Sequence, residues 1–151
     1  MSLPHRKTLA AVLLLAILSG CSGPVEDTRP GQPVKHRQEA FKSILRAFEP
    51  MGTMLRTDRY EADTFAAMAE DLHAVREGPW SYFGADTLYP PSKAKAAVWE
   101  RPADFEAKRA EFEAAVAVLR EVAQGNDRSV LLPAYERVHN SCKSCHQDFK
   151  K

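Results

Sequence analysis

The sequence predicts an all-α protein, an antiparallel four-helix bundle. From Val34 onward the apolar residues recur at three- and four-residue spacing in four separate stripes, the mark of amphipathic helices. No stretch alternates apolar and polar residues as a half-buried strand would. The connections between stripes are mostly short, which makes neighbouring helices antiparallel.

Before the bundle, His5, Arg6 and Lys7 precede the apolar run Leu9–Leu18 and then Ser19-Gly20-Cys21. A charged start, a short apolar stretch and small residues read as a secretory signal over residues 1–20, too short to be a membrane span. Leu18-Ser19-Gly20-Cys21 also resembles a bacterial lipobox. That resemblance implies cleavage before Cys21, lipidation of its thiol and acylation of the new amino group, which together anchor a protein durably on the periplasmic side of a bacterial membrane. The alternative is an ordinary signal peptide with a stray cysteine. Ser22 stands where aspartate would favour inner-membrane retention, which points to the outer membrane. Residues 21–32, with Gly23, Pro24, Pro30 and Gly31, read as a flexible tether, and residues 33–151 as the bundle.

Val34, Phe41, Ile44, Leu45, Phe48, Met51 and Leu55 trace the first helix, with Pro50 expected to kink it by removing a backbone donor. Phe65, Met68, Leu72 and Val75 mark a second, closed by Gly78-Pro79. Phe105, Phe112, Ala115, Val116, Leu119 and Val122 mark a third, opening after Pro102 and stopping at Gly125. Leu131, Leu132, Tyr135, Val138, Cys142, Cys145, His146 and Phe149 mark the fourth, with Pro133 expected in its opening turn. Between the second and third lies a long proline-containing stretch, residues 77–101, carrying Trp80, Tyr82 and Phe83. A connection of that length crosses the bundle or serves function.

The last stripe contains Cys142-Lys143-Ser144-Cys145-His146, a C-x-x-C-H sequence and the covalent attachment signature of a c-type haem. Two thiols add to the haem vinyl groups and the imidazole takes an axial position on iron. Offsets of three and four residues put all three side chains on one helical face. Two other readings exist: a zinc half-site, which needs a second pair of ligands, and a thioredoxin-like redox pair, which belongs at a strand-to-helix turn. With Cys21 assigned to lipid, the other two cysteines lie in the motif and none remains for a structural disulfide.

The whole chain has 21 basic and 20 acidic side chains; removing the leader takes Arg6 and Lys7 and leaves 19 and 20, net −1. That balance gives no case for nucleic-acid binding, which would show as a basic surplus. The remaining length of about 130 residues is one domain's worth, enough for a single core.

The motif's position matters next. Only Gln147 to Lys151 follow it, so a group on the opposite face of the iron must come from upstream helices. At this point the chain from about Val34 to Lys151 resembles cytochrome c′, the four-helix class II cytochrome c of the bacterial periplasm. The residues that carry the resemblance are Lys35-His36-Arg37-Gln38-Glu39-Ala40-Phe41, Gly78-Pro79-Trp80-Ser81-Tyr82-Phe83-Gly84, Trp99, Phe105, Phe112 and Ser141-Cys142-Lys143-Ser144-Cys145-His146.

The resemblance implies one covalent haem c held by Cys142 and Cys145, with His146 as proximal ligand to the iron. It places Arg37 and Gln38 at the haem edge and propionates, and Trp80 and Phe112 against the haem. A planar guanidinium suits a carboxylate, though an arginine on helix one is also read as a solvated surface charge. Phe41 falls over the distal face of the iron, a site usually filled by leucine; it belongs equally to the core stripe of its helix. In the low-spin relative, cytochrome c556, a methionine occupies about that site, and no methionine lies between Val34 and Pro50. Five-coordinate iron binding nitric oxide and carbon monoxide is therefore the leading expectation, with electron transfer to an unidentified periplasmic partner as an additional role. The alternative is a low-spin electron carrier using Met51, Met54 or a histidine. Lys150 replaces a proximal arginine common in the family, four residues beyond His146 on the same helical face. Family members often form homodimers through helices one and two. Turnover is not expected, because no general acid and base can be placed on the distal side. His139 lies two turns before His146, about 10 Å away, too far to bind the same iron but able to line the haem edge. His36 and His73 lack ligand-like partner spacing, and Met51, Met54 and Met68 read as core filler.

Overall fold

The computed structural model describes residues 25–57, 59–125 and 127–151. The leader, the lipidation candidate Cys21 and the start of the tether lie outside the described residues. The chain folds as α1 (Pro33–Arg56), α2 (Ala62–Val75), a 3-10 turn (Trp80–Tyr82), α3 (Ala97–Glu100), α4 (Pro102–Ala123) and α5 (Arg128–Phe149). The four long helices are those read from the apolar stripes, and α3 is a single turn at the end of the crossover. Among the described residues no helix is long and apolar enough to cross a membrane.

Each long helix starts where its local chemistry allows. Pro33 and Pro102 open α1 and α4 at positions where the missing N–H costs nothing. Asp127 caps α5, accepting from the Ser129 N–H at 2.9 Å and the Ser129 hydroxyl at 2.7 Å. Pro133 consequently lies six residues into α5, in its second turn and not its first. The helix tolerates this because that proline's missing donor falls on the exposed side. Pro50 lies inside α1, which continues past it to Arg56.

The first cap comes from a distance. Residues 27–32, expected in the flexible tether, are docked onto the bundle. Asp27 is 3% exposed, and its carboxylate accepts from the backbone N–H groups of Val34 (2.9 Å), Lys35 (3.1 Å) and Arg29 (3.2 Å) and from the Tyr89 hydroxyl (2.9 Å). A turn with positive φ at Gly31 (73°) and Gln32 (43°) brings the carboxylate back over the helix start. Negative charge there meets both the unpaired donors and the helix dipole. Burial alone would raise the Asp27 pKa; the hydrogen bonds from Lys35, Tyr89, Arg29 and Val34 outweigh it and hold the group below 3.8.

The main core gathers Ile44, Phe48 and Met51 of α1, Phe65, Ala69 and Leu72 of α2, Phe112, Val116 and Leu119 of α4, and Leu131, Ala134 and Val138 of α5. Leu45 and Leu132, read from sequence as part of the inward stripes, are 47% and 46% exposed. Ile44 and Leu131 take the inward positions, and one residue further turns the side chain by about 100°. α1 meets α5 through large side chains: Phe48 stacks on Tyr135 with centroids 4.5 Å apart. Gly52 makes that approach feasible, since a Cβ there would lie 2.1 Å from the Tyr135 hydroxyl oxygen. The spacing of α1 and α5 matters because the motif lies on one and the distal candidate on the other.

Candidate haem site

The C-x-x-C-H residues project from the last two turns of α5. Cys142 and Cys145 are half-buried free thiols. Cys142 packs against the main core, as Phe41 and Trp80 do. Cys145 rests on a second cluster of Ala94, Val98 and Phe149, with Phe83, Trp99 and Phe105. Burial, followed by the neighbouring Cys145, pushes the Cys142 thiol up to about 11. Burial also raises Cys145, against a lowering influence from Lys108. Protonated thiols on an apolar wall are the opposite of the depressed-pKa thiolate that a thiol redox pair requires. Among the described residues no group of three or more His, Cys, Asp or Glu could hold a metal ion by itself, so a zinc site lacks its other ligands.

His146 is exposed at the edge of this wall. Partial burial of the ring and then the Lys150 ammonium lower its pKa below 6.5, so a neutral imidazole with a ligating nitrogen prevails near neutral pH. Lys150 does not continue the helix as its sequence spacing suggested. Its backbone is extended (φ −121°, ψ 138°) and its N–H closes the last turn on the His146 carbonyl at 3.2 Å.

Opposite α5, the wall is aromatic. Phe41 meets Trp80 edge-on at 5.6 Å and Phe83 at 6.3 Å, and Trp80 meets Phe112 at 6.0 Å and Phe105 at 6.3 Å. Phe83 and Phe105 are 4.9 Å apart, and Phe105 meets Phe149 at 5.3 Å. The structure thus brings Cys142, Phe41, Trp80 and Phe112 together, and adds Phe83, Phe105 and Phe149. Phe83 and Phe105 lie in segments that carry the family resemblance and Phe149 is the last apolar residue of the fourth stripe, but nothing in the sequence marks the three as one wall. Trp80 Nε1 is buried and has no hydrogen-bond partner. An unpaired buried N–H costs about 1–3 kcal/mol, and the carboxylates of a bound haem are acceptors of the kind it lacks. An apolar slot with two unpaired thiols, an adjacent imidazole and one orphan donor fits a haem.

Arg37 and Gln38 are positioned otherwise than expected. Arg37 is 3% exposed, so it is no surface charge. Its Nη1 donates to the Tyr82 carbonyl and the Thr87 hydroxyl, both at 3.0 Å; its Nη2 donates to the Ser92 hydroxyl at 2.8 Å and the Thr87 carbonyl at 3.3 Å. Both terminal amino groups are therefore occupied, and the two-pronged fork that would grip a propionate is committed to the crossover. The guanidinium also lies over the Phe83 ring, 4.3 Å from its centroid. Gln38 donates to the Pro91 carbonyl at 3.0 Å. Together these two residues fasten residues 82–92 to α1, which holds Phe83 against Phe41.

A family model described as cytochrome C′ matches residues 32–150. The chain belongs to the cytochrome c′ family. A cytochrome c′ of Halomonas halodenitrificans is 33% identical over 128 residues, 80% of this chain and 97% of that one. Among solved structures, cytochrome c prime from Shewanella frigidimarina superposes with a TM-score of 0.78 at 30% identity, over 82% of this chain and 98% of its own. Variants of the Alcaligenes xylosoxidans protein, one in complex with nitric oxide and one with carbon monoxide bound, superpose with a TM-score of 0.76 at 29% identity, over 83% of this chain and 99% and 98% of theirs. A cytochrome c′ carries one covalent haem c, and the motif on α5 together with the aromatic wall of Phe41, Trp80 and Phe83 is where the residues of this chain fit it.

Proposed function

We propose that this cytochrome c′ binds nitric oxide and carbon monoxide at a five-coordinate haem iron, held by thioether bonds to Cys142 and Cys145 and ligated by His146, with Phe41 covering the distal face. The observation that carries this reading is the packing of Phe41. Its ring is fixed between the edges of Trp80 and Phe83, on a stretch of α1 without methionine, so the sixth position is guarded by hydrocarbon. The cations nearby lie behind the aromatic wall: Arg37 over Phe83 and Arg109 over Trp80 at 6.0 Å, the latter also paired with Glu113 and Glu106. Nitric oxide and carbon monoxide tolerate an apolar distal pocket, whereas bound dioxygen carries partial negative charge and needs a donor. The gas complexes of the Alcaligenes protein support the same reading. Met51, the nearest methionine of α1, is fully buried in the main core, which argues against its serving as a sixth ligand.

The role assigned to the site is ligand binding. One-electron exchange with a periplasmic partner is a second use of the same iron. The lipobox-like leader supports a location on the periplasmic side of a bacterial membrane, with Cys21 as the anchor. Titrating the ferrous holoprotein with each gas tests the proposal. Saturable Soret shifts are expected with nitric oxide and with carbon monoxide and none that is stable with dioxygen; a stable dioxygen complex would overturn it.

A further inference from the structure

Four lysines that the sequence keeps in two distant pairs are gathered beside His146. The Lys95 N–H donates to the Phe149 carbonyl at 2.9 Å and the Lys151 N–H to the Lys93 carbonyl at 2.8 Å, and Ala94 and Lys150 form an antiparallel bridge between them. The pairing sets Lys93 and Lys95 alongside Lys150 and Lys151. Lys143 precedes Lys150 by seven residues, two turns back along α5. Lys95 Nζ reaches across to the carbonyl of Gln147, the residue after His146, at 2.7 Å. Lys93, Lys143, Lys150 and Lys151 are exposed and Lys95 is half-buried. Lys42, Lys108, Arg101, Arg109 and Arg120 form ion pairs elsewhere on the molecule, and among the described residues none of the five lysines of the pole does. Asp148 is the acidic side chain of the same stretch. In a chain of net charge +1, this is a marked local surplus around the haem motif.

We propose that this lysine pole is the docking face for an acidic protein that exchanges one electron with the haem. It rests on the haem assignment above. The partner's one-electron centre is oxidised by one electron and ferric iron becomes ferrous, or the reverse, with no group transferred. A protein surface is favoured over a lipid surface, because none of the large exposed apolar side chains, Val25, Leu45, Leu88, Val130 and Leu132, belongs to the pole. The pole itself therefore offers a bilayer electrostatic attraction and no apolar side chain to insert.

The test is stopped-flow reduction of the ferric holoprotein in neutral detergent by iron(II)-EDTA, an anion, and by hexaammineruthenium(II), a cation. Raising salt from about 10 to 300 mM shortens the screening length from about 30 Å to under 8 Å. The anionic reductant should then slow by about 3- to 10-fold while the cationic one speeds up, despite the near-zero net charge. Poly-L-glutamate should block the anionic reductant at low salt. The charge swap Lys143→Glu with Lys151→Glu takes four charges from a pole of five lysines and one aspartate and should flatten both salt slopes; Lys35→Gln with Lys42→Gln should leave them as they were. Flat slopes in the unsubstituted protein, with a normal Soret band and normal carbon monoxide binding, would overturn the docking face and leave the haem assignment intact. Lysine-dependent sedimentation with phosphatidylglycerol vesicles, combined with flat slopes, would reassign the pole to lipid and likewise overturn it.

Discussion

Phe41→Ala should speed entry of carbon monoxide to the distal face, and the structure sets the size of the effect. With Phe41 covering the iron as proposed, a ligand would reach it only when the ring swings away from its two edge-on neighbours, Trp80 at 5.6 Å and Phe83 at 6.3 Å. Each aromatic pair of this kind is worth about 0.5–1.5 kcal/mol, so breaking both adds about 1–3 kcal/mol to the barrier. At about 1.4 kcal/mol per decade, removing the ring should raise the association rate by about 5- to 150-fold. Phe83→Ala removes one of the two contacts and should raise it by about 2- to 12-fold while leaving the wedge in place. Flash photolysis of the ferrous carbon monoxide complex reads the rate, and the dissociation rate measured separately shows whether affinity follows. An association rate unchanged within twofold in Phe41→Ala would refute the assignment of this ring to the distal face.

Other perturbations report on how the slot is held. Arg37→Leu should destabilise the holoprotein by about 3–5 kcal/mol in urea unfolding, because the Tyr82 and Thr87 carbonyls and the Ser92 hydroxyl each lose a charged donor; Arg37→Lys should recover part of that. If Arg37 held only a propionate, the variant would change the reduction potential with little change in stability. Gly52→Ala should lower stability by about 1–3 kcal/mol even though alanine favours helices, since its Cβ would lie 2.1 Å from a Tyr135 hydroxyl oxygen fixed by stacking on Phe48. Combining it with Tyr135→Leu should restore most of the loss, whereas simple additivity would refute the clash. For Asp27 the folded pKa is depressed, so its stabilisation is fully present above about 4 and is lost as pH falls through the folded value. Asp27→Asn should therefore have a lower melting temperature than the parent at pH 6 and a gap that narrows as pH falls below about 4; a gap constant with pH would contradict the cap.

The long helices were legible because each has to bury a stripe, and the haem motif because its chemistry demands adjacent residues. Phe41, Trp80 and Phe112 could be named in advance because they are both core residues and members of recognisable segments. What escaped the sequence depended on chain reversals. Asp27 caps α1 from seven residues before Val34, so a search at the position preceding the helix finds Gln32 and misses it. Arg37 was read toward a ligand, but its partners Thr87 and Ser92 are 50 and 55 residues away, and their arrival depends on how the crossover closes. The bridge between Ala94 and Lys150 is equally invisible, because one isolated pair leaves no alternating pattern.

The most direct test of the account is the spin state of the iron in the ferric and ferrous holoprotein, read by optical absorption and resonance Raman spectroscopy near neutral pH. Phe41 over the distal face and His146 below predict high-spin, five-coordinate iron in the ferrous state, with a broad Soret band and no split visible bands. A sharp low-spin spectrum with split visible bands would place a methionine or a second histidine on the iron and contradict the account at its centre.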